Sequence, residues 1–579
     1  MSAQKPWLKF YESFVPEHID YPENTMPAIL GEMAGKYPHH PAMVFKDRLI
    51  SYGEFNQAVD RFASALQSLG IRPGDRVAIH LPNCPQFPIA FYAVLRIGAI
   101  VVPCNPIYTA REVKHQLNDS DSQVIITLSA MYPLVRQLRP ETHLQHVIVA
   151  RIKTYFPPLL RLLFSLMVEK KKGHRVGIAG ESNTYWFTDL ISKASSVPHP
   201  VEVSLDDTAV LMYTGGTTGI SKGAQLTHRN IMTNARMVIK WTGGLEAQDS
   251  TLTALPLFHS YAMTMCMNSA IAGAGTMIIV PDPRDLEDIL KTIHKHHPKY
   301  YPGVPAMYVS LINHPKVRQY DLRSIKVCCS GAAALPAEVQ QRFQELTGAR
   351  LVEGYGLSEA SPVTHGNPAT GECRLGTIGL PWPDTEAKIV DLESGEQVLP
   401  PGEIGELCVR GPQVMKGYWN MPTETANVLR SGAERGTAEA AGEYPWLYTG
   451  DIASMDEDGY FKIVDRKKDM ILGAGGFNIY PREIEEVLYE HPRVLEAAAV
   501  GVPEAEKGER VKVFIVLKPG QAASEEEIIA FCKHNLAPYK VPKYVEFRQQ
   551  LPKTLVGKIL RRELVKQEIP APELVIPES

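Results

Sequence analysis

Residues 213–223 read YTGGTTGISKG: three threonines, a serine and four glycines, with Lys222 near the end. Backbone N–H groups, hydroxyls and one ammonium in so short a span can converge on an anion, and phosphate is the first expectation. A plain glycine turn is the alternative. A P-loop would need its lysine directly after the second glycine of G-x-x-x-x-G-K-[ST]. Here Ile220 and Ser221 separate Gly219 from Lys222, so that reading fails on spacing. Further along, EGYGLSEA (353–360) offers Tyr355 to stack on a planar base and Glu359 as an oxygen ligand for a hard cation. SGAAALP (330–336) supplies small residues on which such a base could lie. LYTGD (447–451) ends on Asp451, with Arg466 fifteen positions on; a carboxylate there can accept from sugar hydroxyls. Each of these residues has a plainer reading as a core tyrosine, a surface glutamate or a solvated strand end. His259 in LPLFHSYAM, and Lys558 in LPKTLVGKILRREL, complete the candidates.

These residues need elements to position them. DDTAVLMYT (206–214) reads as a strand, because Ala209–Met212 is a short apolar run. From Thr227 on, Ile231, Ala235, Val238 and Ile239 share one helical face, so the loop is expected between a strand and a helix. Ser51 with Glu54 forms a capping-box pattern opening a helix that buries Phe55, Val59, Phe62, Ala63 and Leu66. Strands at 75–83 and 100–105 flank a helix at 88–99, which implies parallel pairing. TMIIVP, YYPGVP and KVCCSG repeat that pattern between 251 and 335. From about 370 to 465, GTIGLP, EAKIVD, GELCVRG and GYFKIVD suggest a β-rich subdomain. The last 110 or so residues read as a compact unit with helices at 481–491 and 524–536, the second capped by Ser524 with Glu527.

At 579 residues the chain should form at least two domains, and a net charge of −4 argues against binding nucleic acid through bulk charge. Eight cysteines without C-x-x-C spacing suit a reducing compartment rather than a zinc site or disulfide framework. No signal-peptide pattern is read at the N-terminus, and no stretch reaches the roughly 20 apolar residues of a spanning helix. The expected location is cytoplasmic. Residues 151–175, RIKTYFPPLLRLLFSLMVEKKKGHR, join an apolar run to basic ends. They suit either a surface helix packed on its own domain or peripheral contact with a membrane. Residues 431–445 read as an exposed loop.

The 213–223 segment resembles the [YS]-T-S-G-[ST]-T-G-x-P-K-G signature of the adenylate-forming superfamily of acyl-CoA synthetases, luciferases and adenylation domains, with Gly215 at the usual serine and Ser221 at the usual proline. The likeness covers nearly the whole chain. IVDRKKDMIL, NIYPREIEEVL and VGKILRREL make it particularly similar to bacterial long-chain fatty-acid–CoA ligases. It implies an α/β fold: a large N-terminal domain of α/β sheet subdomains plus the β-rich subdomain (1–466), and a small mobile C-terminal α+β cap (467–579) hinged near Lys468. The resemblance implies that Thr214, Gly215, Gly216, Thr217, Thr218, Gly219 and Lys222 hold phosphates. It implies that Gly331, Ala332, Ala333, Glu353, Gly354, Tyr355, Gly356 and Ser358 surround adenine. Asp451 would take the ribose, with Ile463 and Arg466 alongside. Lys558 is the expected catalytic cation, with Glu359 and Thr214 as catalytic and Mg²⁺ ligands. His259 would lie beside the acyl group. Gly475, Gly476 and Phe477 would line the CoA route, in a glycine stretch one residue longer than usual.

The implied reaction joins a fatty acid to CoA at the expense of ATP, through an acyl-adenylate. A homodimer is compatible with the resemblance. An aryl-CoA ligase of the 4-coumarate type, or a fatty-acyl-AMP ligase, would share most of these motifs. A non-catalytic lipid- or nucleotide-binding relative would be free to lose Lys558, Glu359 and Asp451, yet all three are present.

Overall fold

The computed structural model describes residues 5–214, 221–245, 247–430, 444–472, 478–504, 508–554 and 559–568. It is a mixed α/β protein of two compact units. The first comprises residues 1–387 and 409–447, and the second 388–408 and 448–579.

The first unit is built on an eight-stranded sheet ordered Gly417–Tyr418, Lys222–Thr227, Thr208–Thr214, Ile100–Pro103, Arg76–His80, Val124–Leu128, His146–Ala150 and Thr184–Trp186. From Thr208–Thr214 onward neighbouring strands run parallel. Their residues are buried almost without a break, as in Val124–Leu128, because parallel strands are covered on both faces. Local capping defines several helices. Ser51 and Glu54 exchange hydrogen bonds at the head of Tyr52–Ser68, and Phe55, Val59, Phe62, Ala63 and Leu66 are all buried. Caps of this kind are each worth about 1 kcal/mol.

Two more sheets complete this unit. One is ordered Ser250–Thr253, Thr276–Ile279, Pro41–Phe45, Arg48–Ser51; the other is Val327–Ser330, Arg350–Gly356, Val363–Gly366, Leu380–Pro381. YYPGVP was expected to be a strand between them. Instead only isolated parallel bridges form, Tyr300 to Thr251 and Val327, and Gly303 to Ser330. Pro302 lacks the N–H that a continuous ladder would need. GTIGLP also departs from expectation. Gly376 and Gly379 have φ of 73° and 84°, which turns the chain, and only Leu380–Pro381 is extended, pairing with Val363–Gly366.

The β-rich sheet contains Glu386–Val390, Gly405–Arg410, Leu429–Arg430, Trp446–Met455 and Phe461–Arg466. Most of the expected loop at 431–445 lies outside the described residues. In the second unit, Val494–Glu504, Gly508–Leu517 and Tyr544–Phe547 form a three-stranded sheet. Pro481–Tyr489 and Glu525–Asn535 contribute to its core through Ile484, Leu488, Ile528 and Cys532. Ser524 caps the second helix by accepting from Glu527 N–H at 3.2 Å.

Candidate active site

Thr208–Thr214 and Lys222–Thr227 are antiparallel, with Thr214 paired to Lys222 and Tyr213 to Gly223. The expected strand–loop–helix is therefore corrected. The glycine-rich segment joins two strands, and the helix His228–Trp241 begins after them, capped by Thr227 and Asn230. KGAQLT forms a strand because Ala224 and Leu226 alternate with Gln225 and pack inward. Thr214 stands at the carboxyl end of its strand, where open α/β sheets place ligands. Gly215, Gly216, Thr217, Thr218 and Gly219 lie outside the described residues.

Four candidates meet at that strand end. Thr214 Oγ1 lies 3.4 Å from Glu359 Oε1, and the Tyr418 hydroxyl donates to the same oxygen at 2.9 Å. The Lys222 ammonium lies 5.3 Å above the Tyr418 ring and forms an ion pair with Glu424. Ser358 Oγ is 3.2 Å from Ser260 Oγ. Burial, then the neighbouring Glu359, pushes the Tyr418 phenol well above its ordinary range, so it stays a donor at working pH. Glu359 itself rides on the one-turn helix Ser358–Ala360, fixed by Met415 N–H donating to its carbonyl at 2.8 Å. The sequence reading missed Tyr418 and Glu424. The Gly-Tyr at 417–418 was the available signal, but its meaning depends on pairing with Ala224 and Gln225, nearly 200 residues earlier.

The expected base-binding residues lie on adjacent strands, since Ser330 pairs with Glu353. Gly331, Ala332 and Ala333 follow the first of these. Ala332 has φ 67°, a conformation costly for a residue with a Cβ, and Ala332 and Ala333 are exposed. Glu353 is buried and accepts Leu335 N–H at 3.2 Å, which ties this turn to the neighbouring strand. Gly354 and Tyr355 pair with Gly366 and His365, and the Tyr355 ring meets His365 at 5.9 Å, edge-on. At Gly356 a Cβ would fall 2.2 Å from the Pro362 carbonyl, so only glycine lets the chain turn toward Glu359.

His259 sits among buried side chains, which pushes its imidazole down to about 4 and leaves it neutral near pH 7. Two residues on, the Tyr261 hydroxyl donates to the Cys329 carbonyl at 2.6 Å. Behind this lies an apolar cavity of about 20 Å³, lined by Val238, Met265, Tyr300, Pro302, Val327 and Cys329.

In the second unit Asp451 pairs across the sheet with Arg466, its carboxylate 3.4 Å from Nε. Ile463 pairs with Ala453 on the same two strands. Lys467, beside the expected hinge Lys468, reaches Glu406 at 2.9 Å, and Glu406 also accepts Gly450 N–H at 3.1 Å. The sequence reading also missed Arg561, which contacts Glu485 at 2.5 Å, Asp469 at 3.2 Å and Asp465 at 3.8 Å. Burial raises the Asp465 and Glu485 carboxyls, and Arg561 opposes that rise. Gly475, Gly476, Phe477 and Lys558 lie outside the described residues.

A hydroxyl, a carboxylate and an ammonium at the end of a parallel sheet suit a nucleotide's phosphates, and nucleotide-dependent α/β enzymes are the class that this fold and edge define. A family model described as AMP-binding enzyme matches residues 30–419, and one described as AMP-binding enzyme C-terminal domain matches 483–558. A long-chain-fatty-acid–CoA ligase of Bacillus subtilis is 45% identical over 571 residues, covering 98% of this chain and 99% of that protein. Among solved structures, ATP-bound MatB from Rhodopseudomonas palustris matches with TM-score 0.80 at 27% identity, over 94% of this chain and 99% of that one. A long-chain-fatty-acid–CoA ligase from Archaeoglobus fulgidus matches with TM-score 0.67 at 26% identity, over 93% and 99%. The chain belongs to the AMP-binding enzyme family, within the adenylate-forming superfamily.

Proposed function

We propose that this protein is an AMP-forming ligase that activates a medium- or long-chain fatty acid with ATP and transfers the acyl group to CoA. The observation that carries the reading is the meeting of Thr214, Lys222, Tyr418 and Glu359 at one strand end. The end-to-end similarity to a fatty-acid–CoA ligase supports the substrate class.

In the first half-reaction a carboxylate oxygen attacks the α-phosphorus in line, the Pα–O–Pβ bond breaks, and pyrophosphate leaves. Both reactants are anionic, so the barrier falls where cations and donors are already in place. Lys222 would hold the departing phosphates, exchanging Glu424 for them, and Lys558 would bridge the attacking carboxylate and the α-phosphate. Mg²⁺ fits the oxygen donors Glu359 and Thr214, which would hold it so that it neutralises phosphate charge. Asp451 with Arg466 would take the ribose, and Tyr355 with the 331–333 turn the adenine. In the second half-reaction the CoA sulfur attacks the acyl carbon, loses its proton, and expels AMP. His259 would lie on the acyl side, with the apolar cavity as a candidate for the chain. At 20 Å³ the cavity needs side chains to part before an alkyl chain can enter.

The two chemistries want different surroundings, and a cap (467–579) turning about Lys468 on an N-terminal domain (1–466) would supply them in turn. Residues 475–477 would then line the CoA route. This reading places the enzyme in the cytoplasm with peripheral membrane contact through 151–175. A homodimer is an assembly that sedimentation decides. Among the described residues no helix is long and apolar enough to cross a membrane.

ATP–pyrophosphate exchange across acids, with and without CoA, tests the proposal. Exchange with octanoate to palmitate, and CoA-dependent turnover, is expected. Preference for cinnamate-type acids would favour an aryl-CoA ligase. Turnover indifferent to free CoA would favour an acyl-AMP ligase, and no exchange with any acid would overturn the enzymatic reading.

A further inference from the structure

Six of the nineteen exposed large hydrophobic side chains among the described residues fall within positions 159–167. They belong to the helix Pro158–Met167, which has no buried residue. Leu159, Leu162, Leu163, Leu166 and Met167 follow the i, i+3, i+4, i+7, i+8 pattern of one helical face. Leu159, Leu162, Leu166 and Met167 are 70%, 56%, 74% and 64% exposed. A soluble surface helix would turn such a stripe inward.

This helix is held by other contacts. Phe164 meets Phe156 at 5.3 Å and His174 at 5.5 Å, edge-on in both cases. Lys153 reaches Ser165 at 2.9 Å and Glu169 at 2.7 Å. The leucine face is thus presented to solvent by a docked segment. Exposed Arg161, Lys170, Lys171, Lys172 and Arg175 lie on and beside it. Residues 151–175 hold seven Lys/Arg against one Glu, in a chain whose net charge is −4.

We infer that Pro158–Met167 is a monotopic anchor that lies in the surface of an anionic bilayer, its leucine face among the acyl chains and its lysines at the headgroups. At about 1.5 Å per residue the helix is about 15 Å long, half the hydrocarbon core, so it lies on the membrane rather than spanning it. The apolar stripe alone would also suit a second copy of the chain, but two copies would bring two basic rims together. An anionic lipid surface complements both the stripe and the charge. The inference deepens the peripheral-membrane part of the proposed function and draws nothing from the acyl chemistry.

Flotation of the full chain with vesicles, in the absence of substrate, tests it. Binding to phosphatidylcholine vesicles containing about one-third phosphatidylglycerol is expected, weakening in high salt as screening requires. Pure phosphatidylcholine should bind at least tenfold more weakly. Leu162→Glu with Leu166→Glu should lower binding to the anionic vesicles at least tenfold, and Lys170, Lys171 and Lys172→Gln should weaken the salt dependence. Both variants should keep the wild-type circular dichroism, since the altered side chains are exposed. A Leu163→Trp reporter should shift its fluorescence to the blue when vesicles are added. Wild-type chain that stays unbound, or leucine variants that float like wild type, would overturn the anchor. So would a dimer seen by sedimentation that Leu162→Glu dissociates while vesicle binding persists.

Discussion

At Glu359 a single carboxylate oxygen collects two hydroxyls, Thr214 from the glycine-rich hairpin and Tyr418 from the short strand beside it. Glu359 and Thr214 were legible because they sit in dense local motifs. Tyr418 was not, since it lies 59 residues from Glu359 and reaches it only through sheet pairing. A hydrogen bond to a charged group is worth about 1.5–3 kcal/mol, and its loss would leave Glu359 less well aimed. Tyr418→Phe is therefore expected to slow adenylate formation about tenfold and to raise the Mg²⁺ concentration needed for half-maximal rate. A purely structural tyrosine would lower the urea midpoint and leave the Mg²⁺ requirement where it was. Lys222 carries a related expectation, because Glu424 pairs with its ammonium and, in the proposed reaction, would have to give it up to phosphates. Glu424→Gln should lower the KM for ATP while changing kcat little, as steady-state kinetics would reveal.

Elements were legible where pattern and cap agreed, as in Tyr52–Ser68 and the helix opening at Ser524. They were misread where an apolar run met backbone constraints: YYPGVP has the composition of a strand but carries prolines, and KGAQLT is a strand with a glycine and no β-branched or aromatic residue before its last threonine. The Arg561 cluster was invisible for a different reason. Its partner Glu485 lies 76 residues away, and Asp465 and Asp469 nearly a hundred. There the strand Phe461–Arg466 and the helices Pro481–Tyr489 and Arg561–Glu568 are joined by buried charge. Removing one partner of a buried ion pair leaves the others uncompensated, at about 3–5 kcal/mol. Arg561→Met should thus lower stability strongly. Arg561→Met with Glu485→Leu should recover part of the loss, a pattern that a denaturant double-mutant cycle would detect.

For the whole molecule, two features set the expected behaviour. Among the histidines of the first unit that burial pushes below their ordinary value, four move furthest: His80, His228 and His259 to about 4, and His365 to about 3. Unfolded histidine titrates near 6.5, so between that pH and about 4 the unfolded chain binds up to four more protons at these sites. Their contribution is fully present above pH 6.5 and is lost as the pH falls through that window. Urea midpoints measured from pH 7 to 5 should fall steeply, and a flat profile would count against neutral, buried imidazoles. The second is the proposed use of one nucleotide site for two reactions, served in turn by a cap (467–579) that rotates about Lys468. Its most direct test assays Lys558→Ala in each half-reaction separately: adenylate formation from fatty acid and ATP, and thioester formation from CoA and pre-made acyl-adenylate. Adenylate formation should be abolished and thioester formation largely spared; equal losses in both would rule out the turning cap.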